Sequence, residues 1–308
     1  MKRISLFGLF VILWTLPATA QPKFDRTALL DHVRVLASDE YEGRETGTPG
    51  SEKARTYLLE QFRDIGLASF NSSFALPFSF TSRRSEETIN GVNVVGFVGG
   101  REQPDRYIVM TAHYDHLGVR EDGIFNGADD NASGTAGLLI AAAYFVQNPP
   151  MHSIVFAALD AEEKGLQGAR AFVADPPVDR ERIALNVNLD MISHNDKGEL
   201  YITGTHHYPF LKPYLEEAAG KSDLNILFGH DLPGTGSDDW TTASDHGPFH
   251  TEWGLPFVYF GVEDHADYHK ESDEFETIVP DFYVKAVDAI LDAVIVLDAN
   301  LAEIEAAK

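Results

Sequence analysis

The sequence predicts an α/β protein in which a largely parallel sheet is covered by helices on both faces. Three observations carry this. From Tyr107 onward, short apolar runs that read as buried strands (residues 108–112, 154–159, 183–189 and 256–260) alternate with helical patterns at 135–145, 166–173, 210–219 and 281–304. No internal repeat, low-complexity tract or linker interrupts the chain, which favours one domain over two for 308 residues. Finally, His113, Asp160, Glu162, Glu163 and Asp190 all fall at or just beyond strand ends, where open α/β sheets bind their ligands.

The elements before that alternation follow from local signals. Leu29, Leu30, Val33 and Leu36 recur at helical spacing after Asp25, a capping residue, so a helix is expected over 25–36. Residues 38–50 are polar and glycine-rich and read as a loop. Pro49 then opens a second helix through Ile65, stopped by Gly66. Residues 74–80 and 91–98 read as strands around an exposed charged turn at 83–87. At the start of the chain, Lys2 and Arg3 precede an apolar run over 4–16 and a small-x-small site, Ala18-Thr-Ala20. This is the pattern of a secretory signal peptide, residues 1–20, cleaved after Ala20, and the run is too short to span a membrane. The mature chain, 21–308, is therefore expected in a periplasm or outside the cell, with no membrane anchor.

Composition narrows the function. Apolar content of 44% is ample for a buried core, which sets disorder aside. A formal charge of −24 argues against a basic face for nucleic acid or an anionic membrane. With no cysteine, a transition metal has to be held by imidazole and carboxylate. There is no G-x-S-x-G elbow, no H-E-x-x-H and no phosphate-binding G-x-x-x-x-G-K-[ST] loop.

The polar residues gather around N-G-A-D-D-N-A-S-G at 126–134, which sets Asp129 and Asp130 among small residues just before the helix at 135. Such a pair either caps the helix or holds a cation, and two carboxylates are one more than a cap needs. On this reading one carboxylate bridges two metals while the other orients its neighbours. His113 follows a buried strand in T-A-H-Y-D-H, and Asp115 is placed to accept its second N–H, as partners of metal-bound histidines do. His116 is a spare candidate ranked below it. Glu162 and Glu163 are adjacent in a loop and point differently, so one can bind metal while the other faces the reacting water. Asp190 ends an apolar strand, where an unpaired carboxylate is costly. His269 lies in a polar loop. His206, His207, His230 and His250 read as surface or loop residues, and S-D-H-G-P-F at 244–249 as a polar loop that is either a substrate wall or a turn.

At these residues the chain resembles the M28 family of co-catalytic metallopeptidases, which includes secreted bacterial aminopeptidases. The resemblance runs through A-H-Y-D-H (112–116), G-A-D-D-N-A-S-G (127–134), A-E-E-K-G-L-Q-G (161–168), N-L-D-M (188–191), S-D-H-G-P-F (244–249) and D-Y-H-K-E-S-D (267–273). E-G-R-E-T-G-T-P-G at 42–50 is also similar to bacterial members. The resemblance implies a three-layer α/β/α, phosphorylase/hydrolase-like fold with a mixed, mainly parallel sheet. It implies two zinc ions, one on His113 and Glu163, the other on Asp190 and His269, bridged by Asp129. Glu162 becomes the general base, Asp115 the partner of His113, and Asp130 a structural neighbour of the bridge. The implied activity is hydrolysis of N-terminal residues from peptides with a free amine. The alternatives are a carboxypeptidase or other amidohydrolase, which needs a cation such as Arg120 or Arg170 aimed at a carboxylate, and a non-catalytic binding protein. Only residues 99–105 separate the strand ending at 98 from the next, leaving no room for an inserted protease-associated domain.

Overall fold

The structure, a computed structural model, describes residues 22–82 and 86–308. The expected signal peptide lies outside the described residues, as does part of the expected turn at 83–87. Among the described residues eleven strands are formed: β1 (Ala68–Ser69), β2 (Ala75–Thr81), β3 (Thr88–Val98), β4 (Gln103–His113), β5 (Gly118–Arg120), β6 (Gly123–Phe125), β7 (His152–Leu159), β8 (Ile183–Leu189), β9 (Glu199–Thr203), β10 (Asn225–Phe228) and β11 (Phe257–Gly261). The helices are α1 (Arg26–Leu36), α2 (Pro49–Ile65), α3 (Gly134–Gln147), α4 (Gln167–Ala174), α5 (Lys212–Ala219), α6 (His246–Trp253), α7 (Pro280–Ala299) and α8 (Leu301–Ala306).

Nine strands form one sheet, ordered β1-β3-β7-β4-β8-β11-β9-β10 with β2 also on β3. Its centre, β7-β4-β8-β11, is parallel, while β3 and β9 join it antiparallel. The sheet is thus mixed and mainly parallel, as expected. Register decides the chemistry. His113 stands opposite Leu159 and Thr111 opposite Asn188, so β4, β7 and β8 end side by side. The residues that follow those strands are delivered to one edge. Helices α1, α2, α3 and α7 contribute apolar faces to one core cluster, while α4 packs on a second, around Val109, Val155 and Phe249.

Local chemistry explains the boundaries. The Asp25 carboxylate accepts from Thr27 N at 2.8 Å and caps α1, and Pro49 opens α2, which stops at Gly66 in the left-handed region (φ 91°). Two expectations are corrected. The helix anticipated over 281–304 is two helices, because Asn300 leaves helical geometry and its Nδ2 donates to Val296 O at 2.8 Å. The polar loop anticipated at 244–249 instead enters α6, whose first turn tolerates Pro248. Among the described residues, no helix is long and apolar enough to cross a membrane.

Candidate metal centre

Beyond the ends of β4, β7 and β8 the chain gathers His113, His116, Asp130, Glu163, Asp190 and His269. His113 is the last residue of β4, and its Nε2 lies 3.2 Å from Asp190 Oδ1 and 3.4 Å from Asp130 Oδ1. His269, in a left-handed conformation (φ 55°), points Nε2 at Asp130 Oδ2, 3.1 Å away, and at Glu163 Oε1, 3.5 Å away. His116 Nδ1 is 2.9 Å from the same Glu163 oxygen. Two donor groups result, one of His113, Asp130 and Asp190, the other of Asp130, Glu163 and imidazole, and both contain Asp130.

This corrects the expected place of Asp129. Its carboxylate is turned away from the cluster and saturated. Oδ1 accepts from Ser193 N (2.7 Å), Ser193 Oγ (2.8 Å) and Ser133 Oγ (3.2 Å), and Oδ2 faces His265 Nε2 at 3.1 Å. Asp130, expected as the structural neighbour, occupies the centre instead. The backbone leaves helical geometry at Asp130 and Asn131, which sends the two adjacent side chains to different surroundings. The expected pairing is corrected too: His113 stands with Asp190 and Glu163 with His269, because β4 and β8 are sheet neighbours whereas Glu163 sits across Asp130. A further group, His194, His265 and Asp267, lies behind Asp129, with the two imidazoles stacked at 3.9 Å.

Asp115 lies beside His113, but the nearer partner of His113 Nδ1 is the Asp115 carbonyl oxygen at 3.1 Å, the carboxylate being 3.7 Å away. That carboxylate accepts from Glu162 N at 2.9 Å and Glu163 N at 3.3 Å, so it fixes the backbone of both glutamates. Of the histidines expected on the surface or in loops, His207 is half-buried against Thr241, and His250 is corrected to a place in helix α6, where it meets Tyr208.

Sequence reasoning assigned no role to several residues that hold the site. Arg44 is fully buried and donates to four carbonyls: Tyr114 (2.8 Å), Leu36 (2.7 Å), Asn126 (2.5 Å) and Gly127 (2.9 Å). It thereby ties the exit of β4 to the Asp129–Asp130 loop. The preceding Gly43 is required, since a Cβ there would lie 2.3 Å from Phe125 O. Asp273, also buried, accepts from Asp129 N (2.9 Å) and Asp130 N (3.0 Å). Thr46 Oγ1 donates to Asp160 at 2.9 Å and lies 3.3 Å from Asp115. Asp245 at the mouth of α6 is buried, with neither carboxylate oxygen hydrogen-bonded among the described residues. The one signal for Arg44 and Asp273 was their place inside quoted motifs, and nothing in residue type announced their roles.

The charges at this edge are crowded. Burial would lower His113, but Asp190, Glu162 and Asp130 outweigh it and hold it well above the usual imidazole range. Burial raises Glu162 well above the usual carboxyl range; His113 opposes this and Glu163, Asp190 and Asp245 add to it. Burial pushes Asp245 up to about 7, with His113 opposing and Asp190 adding. For Glu163, burial and Asp130 are outweighed by His116 and His269, and it falls to about 2. So many buried carboxylates, with imidazoles among them and no thiolate, form the hard and borderline donor set that divalent zinc takes. Among the described residues, His116 Nδ1 and Nε2 and Glu163 Oε1 are buried without a hydrogen-bond partner, which suits them to be metal ligand atoms. The residues present therefore fit zinc.

An α/β/α fold carrying two carboxylate–imidazole groups that share one aspartate defines the class: a metallohydrolase-type protein. The chain belongs to peptidase family M28, whose family model matches residues 93–294. Aminopeptidase YwaD of Bacillus subtilis is 30% identical over 234 residues, 70% of this chain and 45% of that protein. A glutamate carboxypeptidase 2 homolog of Caenorhabditis briggsae is 28% identical over 209 residues, 57% of this chain and 24% of its own length. The chain thus spans less than half the length of these curated relatives. Among solved structures, a leucine aminopeptidase precursor from Bacteroides thetaiotaomicron superposes with a TM-score of 0.72 at 16% identity, covering 89% of this chain and 97% of that one. Porphyromonas gingivalis glutaminyl cyclase gives 0.72 at 18%, covering 91% and 99%. These likenesses establish the fold.

Proposed function

We propose that this protein is a secreted di-zinc aminopeptidase. The observation that carries the reading is the meeting of two donor groups at Asp130, with Glu162 beside them. His113, Asp130 and Asp190 would hold one ion, and Asp130, Glu163 and His269 the other. Bound zinc supplies Lewis acidity and a water of lowered pKa. Glu162 accepts the proton of the attacking water and returns it to the amine nitrogen released when the C–N bond breaks. Burial, which raises Glu162, suits it to both transfers. Asp115 keeps Glu162 and Glu163 in place through their N–H groups. Recognition of the substrate's free α-ammonium would fall to the metals and the carboxylates near them. Residues 1–20 act as the leader, so the mature protein begins at Gln21, which N-terminal sequencing of the secreted product checks.

A second reading, a carboxypeptidase, is favoured by one observation. Arg120, Lys164 and Arg170 line a cavity of about 470 Å³ that ends at His116 and Glu163. Arg120 is already paired with Glu45 at 2.9 Å and Lys164 with the same residue at 2.5 Å, and Arg170 is paired with Glu252 at 3.0 Å. This weakens the cations as a carboxylate trap, and the aminopeptidase reading stands first. The deciding experiment offers one peptide with its N-terminus free or acetylated and its C-terminus free or amidated. The aminopeptidase reading expects a free amine to be required and a free carboxylate dispensable, with activity abolished by a chelator and by Glu162→Gln. The reverse requirement establishes the carboxypeptidase.

A further inference from the structure

We infer that His116 is a ligand of the ion held by Asp130, Glu163 and His269, so that four protein donors surround it. This rests on the two-zinc reading above. His116 is fully buried directly after Asp115, and its ring is packed against Gly127 so closely that a Cβ there would lie 2.5 Å from two of its carbons. The ring is therefore fixed, and it is fixed facing carboxylates. His116 Nδ1 lies 2.9 Å from Glu163 Oε1 and 3.7 Å from Asp130 Oδ2. From the other side, His269 Nε2 lies 3.5 Å and 3.1 Å from the same two oxygens. Four ligands at ordinary zinc bond lengths in a tetrahedron stand about 3.3 Å apart, and these four separations straddle that value.

The alternative is that His116 merely donates to Glu163 and orients it. Its Nδ1 and Glu163 Oε1 are close enough but not aligned, and both remain without a hydrogen bond. A histidine used in that way exists elsewhere in the chain and looks different. His152 is equally buried, but its Nδ1 is engaged by Asp298 at 3.0 Å, and that carboxylate also takes two backbone N–H groups. His116 leaves both ring nitrogens free of such bonds. In the two-ion reading the centre is then asymmetric: the His116 side is filled by protein, and the His113 side has three protein donors with Glu162 nearby.

The test is metal content and the cobalt spectrum, with His116→Gln, which keeps side-chain volume, beside His116→Ala. His250→Ala is the control for loss of a histidine outside the centre. Zinc per chain is measured across a series of chelator concentrations, and d–d absorbance is recorded after cobalt replacement. The inference expects two zincs in the unaltered protein and loss of one from both His116 variants, with affinity for that ion down by more than about 100-fold and a changed cobalt band. A drop of 10–100-fold with an unchanged band is what an orienting partner gives, and it overturns the inference, as does no drop. Chelated variants that unfold at the temperature of the chelated parent show that the loss is not misfolding. An unaltered protein that holds a single zinc overturns the two-ion reading itself, and this inference with it.

Discussion

Asp129 and Asp130 are neighbours in the chain, both buried, both with backbone N–H bonded to Asp273, yet their carboxylates live in opposite conditions. Asp129 accepts from two serine hydroxyls and a backbone N–H, and meets the ring nitrogen of His265. Among the described residues, the Asp130 carboxylate is faced by imidazoles, those of His113, His116 and His269. Burial would raise Asp130, but those three rings hold it well below the usual carboxylate range. A carboxylate whose lone pairs are filled by fixed donors is a strut. One faced by imidazoles that are themselves potential ligands is a place for a cation. Position in the motif does not separate the two; the partners do.

The largest expected effect comes from breaking the Asp130 side. Asp130 serves both donor groups, Oδ1 toward His113 and Oδ2 toward His116 and His269, and Asp130→Asn replaces one of these oxygens with an NH2 and removes the charge. We predict loss of both zincs and a fall in kcat/KM of about 10³-fold or more, with the helix and sheet content kept. Metal analysis and circular dichroism on one sample check this. A variant that keeps two zincs would contradict the central place given to Asp130.

How far the comparison was legible in advance can be judged from the same residues. The apolar runs that became β4, β7 and β8, and the polar residues that follow them, were readable because buried strands and strand ends leave strong local patterns. His113, the Glu162–Glu163 pair and Asp190 were found that way, and His269 through its polar loop and the family resemblance; the structure brings His113, Glu163, Asp190 and His269 together. The choice between Asp129 and Asp130 was not readable, since it depends on donors 60 and more residues away in sequence, Ser193 and His265. The pairing of ligands was missed for a related reason: it follows from sheet order, β4 beside β8. Strands β9 and β10 escaped because they are short, and α6 because its first turn holds glycine and proline. Arg44 acts through backbone carbonyls, which any sequence supplies, so no partner residue could point to it.

The second effect is the pH dependence of the zinc-free protein. Burial pushes Asp245 up to about 7, as it does Asp273, where the charge of Asp129 adds and the two N–H bonds oppose. An acid with a folded pKa above its unfolded one binds a proton in the folded state first. Its penalty is absent below pH 4 and grows as pH rises to 7. His269 is raised to about 10: burial would lower it, and Asp130 and Glu163 outweigh this. Its stabilisation is present below pH 6.5 and is lost as pH rises through 10. All three act in one direction between pH 4 and 10. Glu163, at about 2, acts oppositely only below the usual carboxyl range. We therefore predict that chelated protein is more stable at pH 6 than at pH 8, by about 1 kcal/mol for each of the two aspartates. Zinc-loaded protein should change less, because the ions keep the centre deprotonated. Thermal unfolding of both forms at the two pH values measures the difference. Equal slopes would mean that bound ions do not shift the titration of these groups.

The smallest effect should come from Asp129→Asn, and it sharpens the comparison most. The amide keeps one oxygen, enough for some of the serine donors, but turns an NH2 toward a group that was donating. One donor among Ser193 N, the serine hydroxyls and His265 then loses its acceptor. That costs about 1–3 kcal/mol of stability, read from the urea midpoint at constant slope. The zinc content should stay at two, and kcat should fall by less than about tenfold, because Asp130 keeps its own N–H bond to Asp273. Asp130→Asn and Asp129→Asn thus separate along two axes, metal content and stability. If Asp129→Asn instead lost a zinc while its stability held, the strut would itself be a ligand, and the shared donor would have to be reassigned to it.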